Sequence, residues 1–219
     1  MGDVIKLSER REALRRRAPG RLRPRSSADF FFDLASPFTY LAAERVEHSF
    51  DDVAWRPAST DALRRSSLEH DDVTAAAMRR AAEERAAALR LPLVWPERFP
   101  AAVPAAMRVA SRAAEGGRGA AFVLAATRLA FCGGFDLDDP EILAEAAAAA
   151  GLVLDDTLLA ARDEGRDGAI EDAGRALLAA AADRLPALRI GRALYCGEER
   201  VGEALTMARV ARAADAAQA

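Results

Sequence analysis

The stretch from Asp29 to Glu44, Asp-Phe-Phe-Phe-Asp-Leu-Ala-Ser-Pro-Phe-Thr-Tyr-Leu-Ala-Ala-Glu, constrains the fold more than any other part of the chain. Phe30, Phe31, Phe32 and Leu34 form an aromatic-rich apolar run of strand length, bounded by polar or small residues, which is the pattern of a buried strand. Ser36 followed by Pro37 marks a helix start: a serine at the N-cap, then a proline with no amide hydrogen to leave unsatisfied. Phe38, Leu41, Ala42 and Val46 recur at three- and four-residue spacing, so a helix running to about Ser49 can lay one face on a sheet. The free amides of a first helical turn carry a partial charge of roughly +0.5, which stabilises an anion, including a thiolate. A serine hydroxyl there can also donate to that anion. Read alone, the same serine does no more than cap its own helix, so the neighbouring segments must decide.

Val53-Ala54-Trp55-Arg56-Pro57 reads as a second strand closed by proline, and a strand, helix, strand unit of this size is what a parallel pair needs. From Thr60 to about Ala182 the pattern is helical almost throughout. Helices are predicted over 71–90, 104–115, 120–131, 140–149, 155–163 and 167–182, with breaks at Gly116-Gly117, Gly133-Gly134, Asp139-Pro140, Gly151 and Gly165. Gly-Gly-Arg-Gly at 116–119 lies between two helices rather than after a strand, so it reads as a loop and not as a phosphate cradle. Residues 91–100 hold three prolines and must lie extended. Trp95 and Phe99 within them either line an apolar pocket beside the Ser36 turn or plug the helical core. The chain then returns to strand character at 185–190 and 193–196, a hairpin around Gly191-Arg192, followed by an amphipathic helix from Glu198 to about Ala214. Two parallel strands, a helical insertion, an antiparallel hairpin and a closing helix make an α/β chain of thioredoxin-like plan with a large all-helical insertion. The expected division is a basic arm at 1–27, a thioredoxin-like domain at 28–59 and 183–219, and a helical insertion domain at 60–182.

Composition narrows the function classes. The 219 residues are 51% hydrophobic, enough for a substantial core, and the net charge of -3 with a pI near 5.6 argues against a nucleic-acid partner. No apolar run is long enough to span a bilayer, so no membrane partner is expected. Cys132 and Cys196 are the only cysteines and have no second cysteine or histidine at metal-ligand spacing, while His48 and His70 sit beside acidic residues as solvated surface groups do. No metal is implied. The first 26 residues carry nine basic side chains against three acidic ones and no apolar core of a secretory leader, so they read as a partly helical basic arm, either solvated or touching an acidic partner or the chain's own acidic body, and cytoplasmic residence is the default expectation.

With these residues in view the chain resembles a known family. The Phe-Phe-Phe-Asp-Leu-Ala-Ser-Pro-Phe-Thr-Tyr-Leu-Ala stretch, Trp55-Arg56-Pro57, the proline-rich segment leading to Met107-Arg108, Leu185-Pro186 before the hairpin and Cys-Gly-Glu-Glu-Arg after it are similar to 2-hydroxychromene-2-carboxylate isomerases and kappa-class glutathione transferases, a branch of the DsbA-type thioredoxin fold. The resemblance covers about residues 28–215. It implies that Ser36, with Pro37 and Phe38, receives the sulfur of glutathione as cofactor or cosubstrate, with Ser36 in the catalytic role. Pro186 matches a cis-proline, and the backbone of Leu185 before it would pair with the glutathione backbone as an added short strand. Glu198 and Glu199 match positions that hold its γ-glutamyl end. Trp55 and Arg108, with Trp95 and Phe99, are expected as pocket-lining or structural positions. The partner implied is a small-molecule substrate, an electrophile or unsaturated acid derived from an aromatic compound, and a homodimer is a further expectation because relatives are commonly dimers.

Three departures stand beside the resemblance. Relatives carry an asparagine after the Phe-Pro step, whereas this chain reads Phe99-Pro100-Ala101-Ala102 and has no asparagine anywhere. The helix over 71–90 offers Met78, Arg79 and alanines in place of a lysine and a tyrosine, and Cys196 replaces an aromatic residue. Three function classes follow: a glutathione-dependent isomerase or transferase, a catalytically degenerate protein binding another thiol or small acid, and a DsbA-type dithiol oxidoreductase. The last needs Cys-x-x-Cys where this chain has Ser36-Pro37-Phe38-Thr39, so that chemistry is lost.

Overall fold

A computed structural model describes residues 28–50, 52–63 and 72–217. The basic arm at 1–27, His70 and the first residue of the helix predicted over 71–90 lie outside the described residues. Strand β1 (Ala28–Phe32) is followed by α1 (Pro37–Ser49) and β2 (Val53–Pro57). After a short 3-10 turn at Asp61–Leu63 come α2 (Asp72–Leu89), α3 (Pro104–Glu115), α4 (Gly119–Phe131), α5 (Pro140–Ala149), α6 (Leu154–Arg162) and α7 (Asp167–Ala179). The hairpin β3 (Ala187–Ile190) and β4 (Ala193–Cys196) leads into α8 (Glu198–Ala217).

The sheet has the order β2-β1-β3-β4, with β1 parallel to β2 and antiparallel to β3. Phe30 stands opposite Trp55 on one side and Leu188 on the other, so the three-phenylalanine run is an interior strand, as its apolar character requires. Phe30 and Phe32 are fully buried, and truncating either to alanine should cost about 3–5 kcal/mol. One continuous apolar cluster runs from β1 and α1 into the helices, joining Leu41 and Val46 to Val109, Phe122, Val123 and Val201. The helical segment and the sheet therefore share a core. Trp55 sits edge-on to Phe30 with centroids 5.0 Å apart, and α4 begins one residue earlier than predicted, at Gly119, where a β-carbon would stand 2.9 Å from that of Trp55. Only glycine lets the helix start that close to the strand. The other helix bounds differ from the sequence reading by at most a few residues at the ends, where α7 stops at Ala179 and Ala181 turns to a φ of 63°. No helix among the described residues is long and apolar enough to cross a membrane.

Candidate active site

The turn between β1 and α1 is organised by Asp33. One carboxylate oxygen accepts the Ala35 amide at 2.9 Å and the other accepts the Thr60 amide at 3.0 Å, which fastens the turn to the segment after β2. The Asp33 carbonyl accepts the Ser36 amide at 3.1 Å and the Thr39 hydroxyl at 2.7 Å, while the Leu34 amide lies 3.3 Å from the Met107 sulfur of α3. Ser36 occupies the N-cap position in extended conformation, but its hydroxyl makes no capping bond. The Thr39 amide is instead satisfied by the Ser36 carbonyl at 3.0 Å, so the simple capping reading of the serine fails. Its hydroxyl remains available at the positive end of a thirteen-residue helix, beside Phe38, the first residue of α1 with an amide hydrogen to offer.

Ser36, Phe38 and Leu185 line one cavity of about 790 Å³. The Leu185–Pro186 bond is cis, and Leu185 stands just outside the ladder that begins at Ala187. The fold thus brings together the turn and the pre-strand segment that the sequence reading paired. Met78, Val103, Met107 and Ile170 supply the apolar wall from the helices. Asp183 and Arg184, paired at 2.6 Å, stand at the Leu185 end. The guanidinium holds the Asp183 carboxyl below its ordinary range, mainly through this hydrogen bond.

Several expected site residues stand elsewhere. Pro37 is buried in the first turn of α1. Glu198 is buried, with only 1% of its side chain exposed, and is clamped between Arg45 of α1 and Arg85 of α2. Its carboxylate is the counter-charge for two guanidinium groups inside the protein, and it does not line the cavity. Glu199 is exposed on α8 and does not line the cavity. Trp55 is packed on the sheet and borders a separate cavity of about 600 Å³ on the β2 side. Trp95 and Phe99 lie tilted to one another with centroids 4.5 Å apart, pack against Phe131 and lie under the Arg79 guanidinium, half-buried at the edge of the helical core, while Phe99 also lines a small cleft with Leu34 and Ala35 beside the Ser36 turn. Arg108 touches the cavity only through Asp167, which it holds by two hydrogen bonds of 2.7 and 2.6 Å. Those bonds are the main reason the Asp167 carboxyl is pushed below its usual value.

Neither cysteine lines the cavity. The Cys132 thiol donates to the Tyr40 hydroxyl at 2.9 Å, and Tyr40 in turn donates to the Pro92 carbonyl. Cys196 fills space against the core under β3, and burial pushes its thiol pKa up. Sequence reasoning missed Asp33. An aspartate directly after a strand and three residues before Ser-Pro is an Asx-turn signal that could have revealed it. Asp167 and Asp183 carried no local signal, since they reach the cavity only through tertiary packing.

Comparison with known proteins agrees with this architecture. The family model for the DSBA-like thioredoxin domain matches residues 28–201. A 2-hydroxychromene-2-carboxylate isomerase structure superposes with a TM-score of 0.72 at 16% identity, covering 88% of this chain and 99% of that one. A structure described as a probable DsbA oxidoreductase from Streptomyces coelicolor superposes with a TM-score of 0.65 at 22% identity, covering 84% and 89%. At these identities the likeness establishes the fold. No curated protein matches the sequence.

Proposed function

The chain belongs to the family of DSBA-like thioredoxin domains, and from that premise we propose that it is a glutathione-dependent isomerase or transferase in which Ser36 receives the thiol. The observation that carries this reading is the Ser36 hydroxyl, unused as a cap, on the wall of a 790 Å³ cavity that Leu185 also lines. Glutathione would lie with its backbone along Leu185 and its sulfur at the start of α1. There the helix end and the hydroxyl stabilise the thiolate over the thiol, and the proton leaves to solvent. The thiolate then attacks an electrophilic carbon and forms a C–S bond. In a transferase the leaving group departs with the bonding electron pair; in an isomerase the adduct changes geometry and the C–S bond breaks again, returning the thiolate. Dithiol exchange is excluded for the residues at this turn, since Ser36 to Thr39 hold no thiol.

Isothermal titration with reduced glutathione tests the reading. Binding by the wild type that weakens at least about tenfold in Ser36→Ala, the loss of one hydrogen bond to a charged group, is the expected result. A wild type that does not bind glutathione would sink it. That outcome favours a binder of another thiol, for which the missing asparagine and the helix over 71–90, with Met78, Arg79 and alanines in place of a lysine and a tyrosine, already speak.

A further inference from the structure

Helix α6 leaves an apolar face uncovered among the described residues. Val153, Leu154, Leu158 and Leu159, four large apolar side chains within seven residues, are 63, 53, 37 and 70% exposed. Single exposed apolar residues are ordinary on a protein surface, whereas a group of neighbours marks an interaction site. On the other side of the helix Thr157 and Ala160 are buried, and α6 packs on α3. Arg108 of α3 donates to the Ala161 carbonyl at 3.2 Å, and the Arg112 guanidinium lies 3.7 Å from the Asp156 carboxylate. The inner side of α6 is thereby anchored, and its outer side faces away from the core.

The charges on that outer side say what covers it. Asp155, Leu158, Leu159 and Arg162 stand at i, i+3, i+4 and i+7 and so share one stripe of the helix. Asp155 and Arg162, at its two ends, are both exposed, and neither side chain has a hydrogen-bond or ion-pair partner among the described residues. They lie about 10 Å apart along the axis, too far to pair with each other. The stripe is, however, complementary to its own reverse. A second copy related by a two-fold axis passing between Leu158 and Leu159 sets Asp155 of each chain against Arg162 of the other, and Leu158 against Leu159. A parallel pairing would set like charge against like. The nearby carboxylates of Asp156 and Asp163 do not oppose this, because they already face Arg112 and Arg166 within the chain. We infer that the exposed face of α6 docks a second copy of this chain, the two helices packing antiparallel about a two-fold axis so that each favourable contact is made twice. None of these residues lines the Ser36 cavity, so the inference is independent of the reading of that site. A contact built on one helix face is smaller than that of a permanent dimer, and association should therefore rise with concentration.

Sedimentation equilibrium of the full chain from about 5 to about 500 μM at low salt tests this, and the mass should climb from 23.4 kDa toward twice that value. Leu159→Glu, at an exposed position that the core does not use, should hold the chain at the monomer mass with its circular dichroism unchanged. Asp155→Arg and Arg162→Asp should each weaken association at least about tenfold, because like charges then meet twice in the homodimer. Mixing these two variants in equal amounts should bring association back to within about threefold of wild type, since the new arginine of one then faces the new aspartate of the other. A wild type that stays monomeric throughout would assign the face to another part of the chain or to a different partner and overturn the inference. A dimer indifferent to Leu159→Glu, or weakened by both charge reversals but not recovered on mixing them, would overturn it as well.

Discussion

The two walls of the cavity are built by different means. The sheet-side wall is made by backbone: a turn clasped by Asp33, the start of α1 at Ser36, and Leu185 just before β3. The helical wall is made by side chains drawn from α2, α3, α7 and the segment between α2 and α3, far apart in sequence. Backbone geometry at a helix end binds sulfur or a peptide strand whatever the neighbouring side chains are. The helical wall, by contrast, changes its ligand with each substitution. The same fold can therefore keep the backbone geometry of one wall while the side chains of the other vary.

Glu198 links the two regions, since it ties α1 and α8 of the sheet side to Arg85 of α2. Glu198→Gln leaves two partly buried guanidinium groups without a counter-charge and should cost about 3 kcal/mol in urea unfolding. If it instead weakens glutathione binding with stability intact, the two-wall description is wrong and this carboxylate belongs to the site. Asp33→Asn comes next. The amide keeps one acceptor oxygen but turns an N–H toward the amide of Ala35 or Thr60, so one buried bond becomes a clash of donors. We expect a loss of about 1–3 kcal/mol together with weaker thiol binding, because the sheet-side wall depends on that clasp. Unchanged thiol affinity in a destabilised Asp33→Asn protein would show that the helix end holds its position without the carboxylate.

What was legible in the sequence follows the same division. The aromatic run of β1, the Ser-Pro start of α1 and the proline before β3 are local signals, and each stands where its pattern placed it. The positions matched to the far end of the ligand, Glu198 and Glu199, do not line the cavity. Glu198 was matched to a ligand-holding position at a helix start, and nothing within a few residues reveals that Arg45, 153 positions away, and Arg85, 113 positions away, enclose it. Trp95 and Phe99 could be assigned to core or pocket only once Phe131 of α4 was seen packed against both. The helical wall was illegible for a related reason: Asp167 and Glu171 of α7 reach the cavity only through tertiary packing.

The smallest effect tests the helical wall by itself. Arg108 lowers the pKa of Asp167 in the folded state below its ordinary 3.8, chiefly by hydrogen bonding, whereas the unfolded chain keeps the ordinary value. A group depressed in this way contributes stability that is present above 3.8 and is lost as pH falls through the lower folded-state value, because protonation breaks the pair. The Asp167 side chain is 37% exposed, so solvent screening keeps the contribution below about 1 kcal/mol. Arg108→Met should therefore raise the carboxyl titration of Asp167, seen by NMR, and flatten the acid limb of the stability curve. Glutathione affinity should stay unchanged, since the sheet-side wall does not depend on this pair. An Asp167 titration that does not move would mean that the cavity itself, rather than Arg108, fixes the charge on that wall.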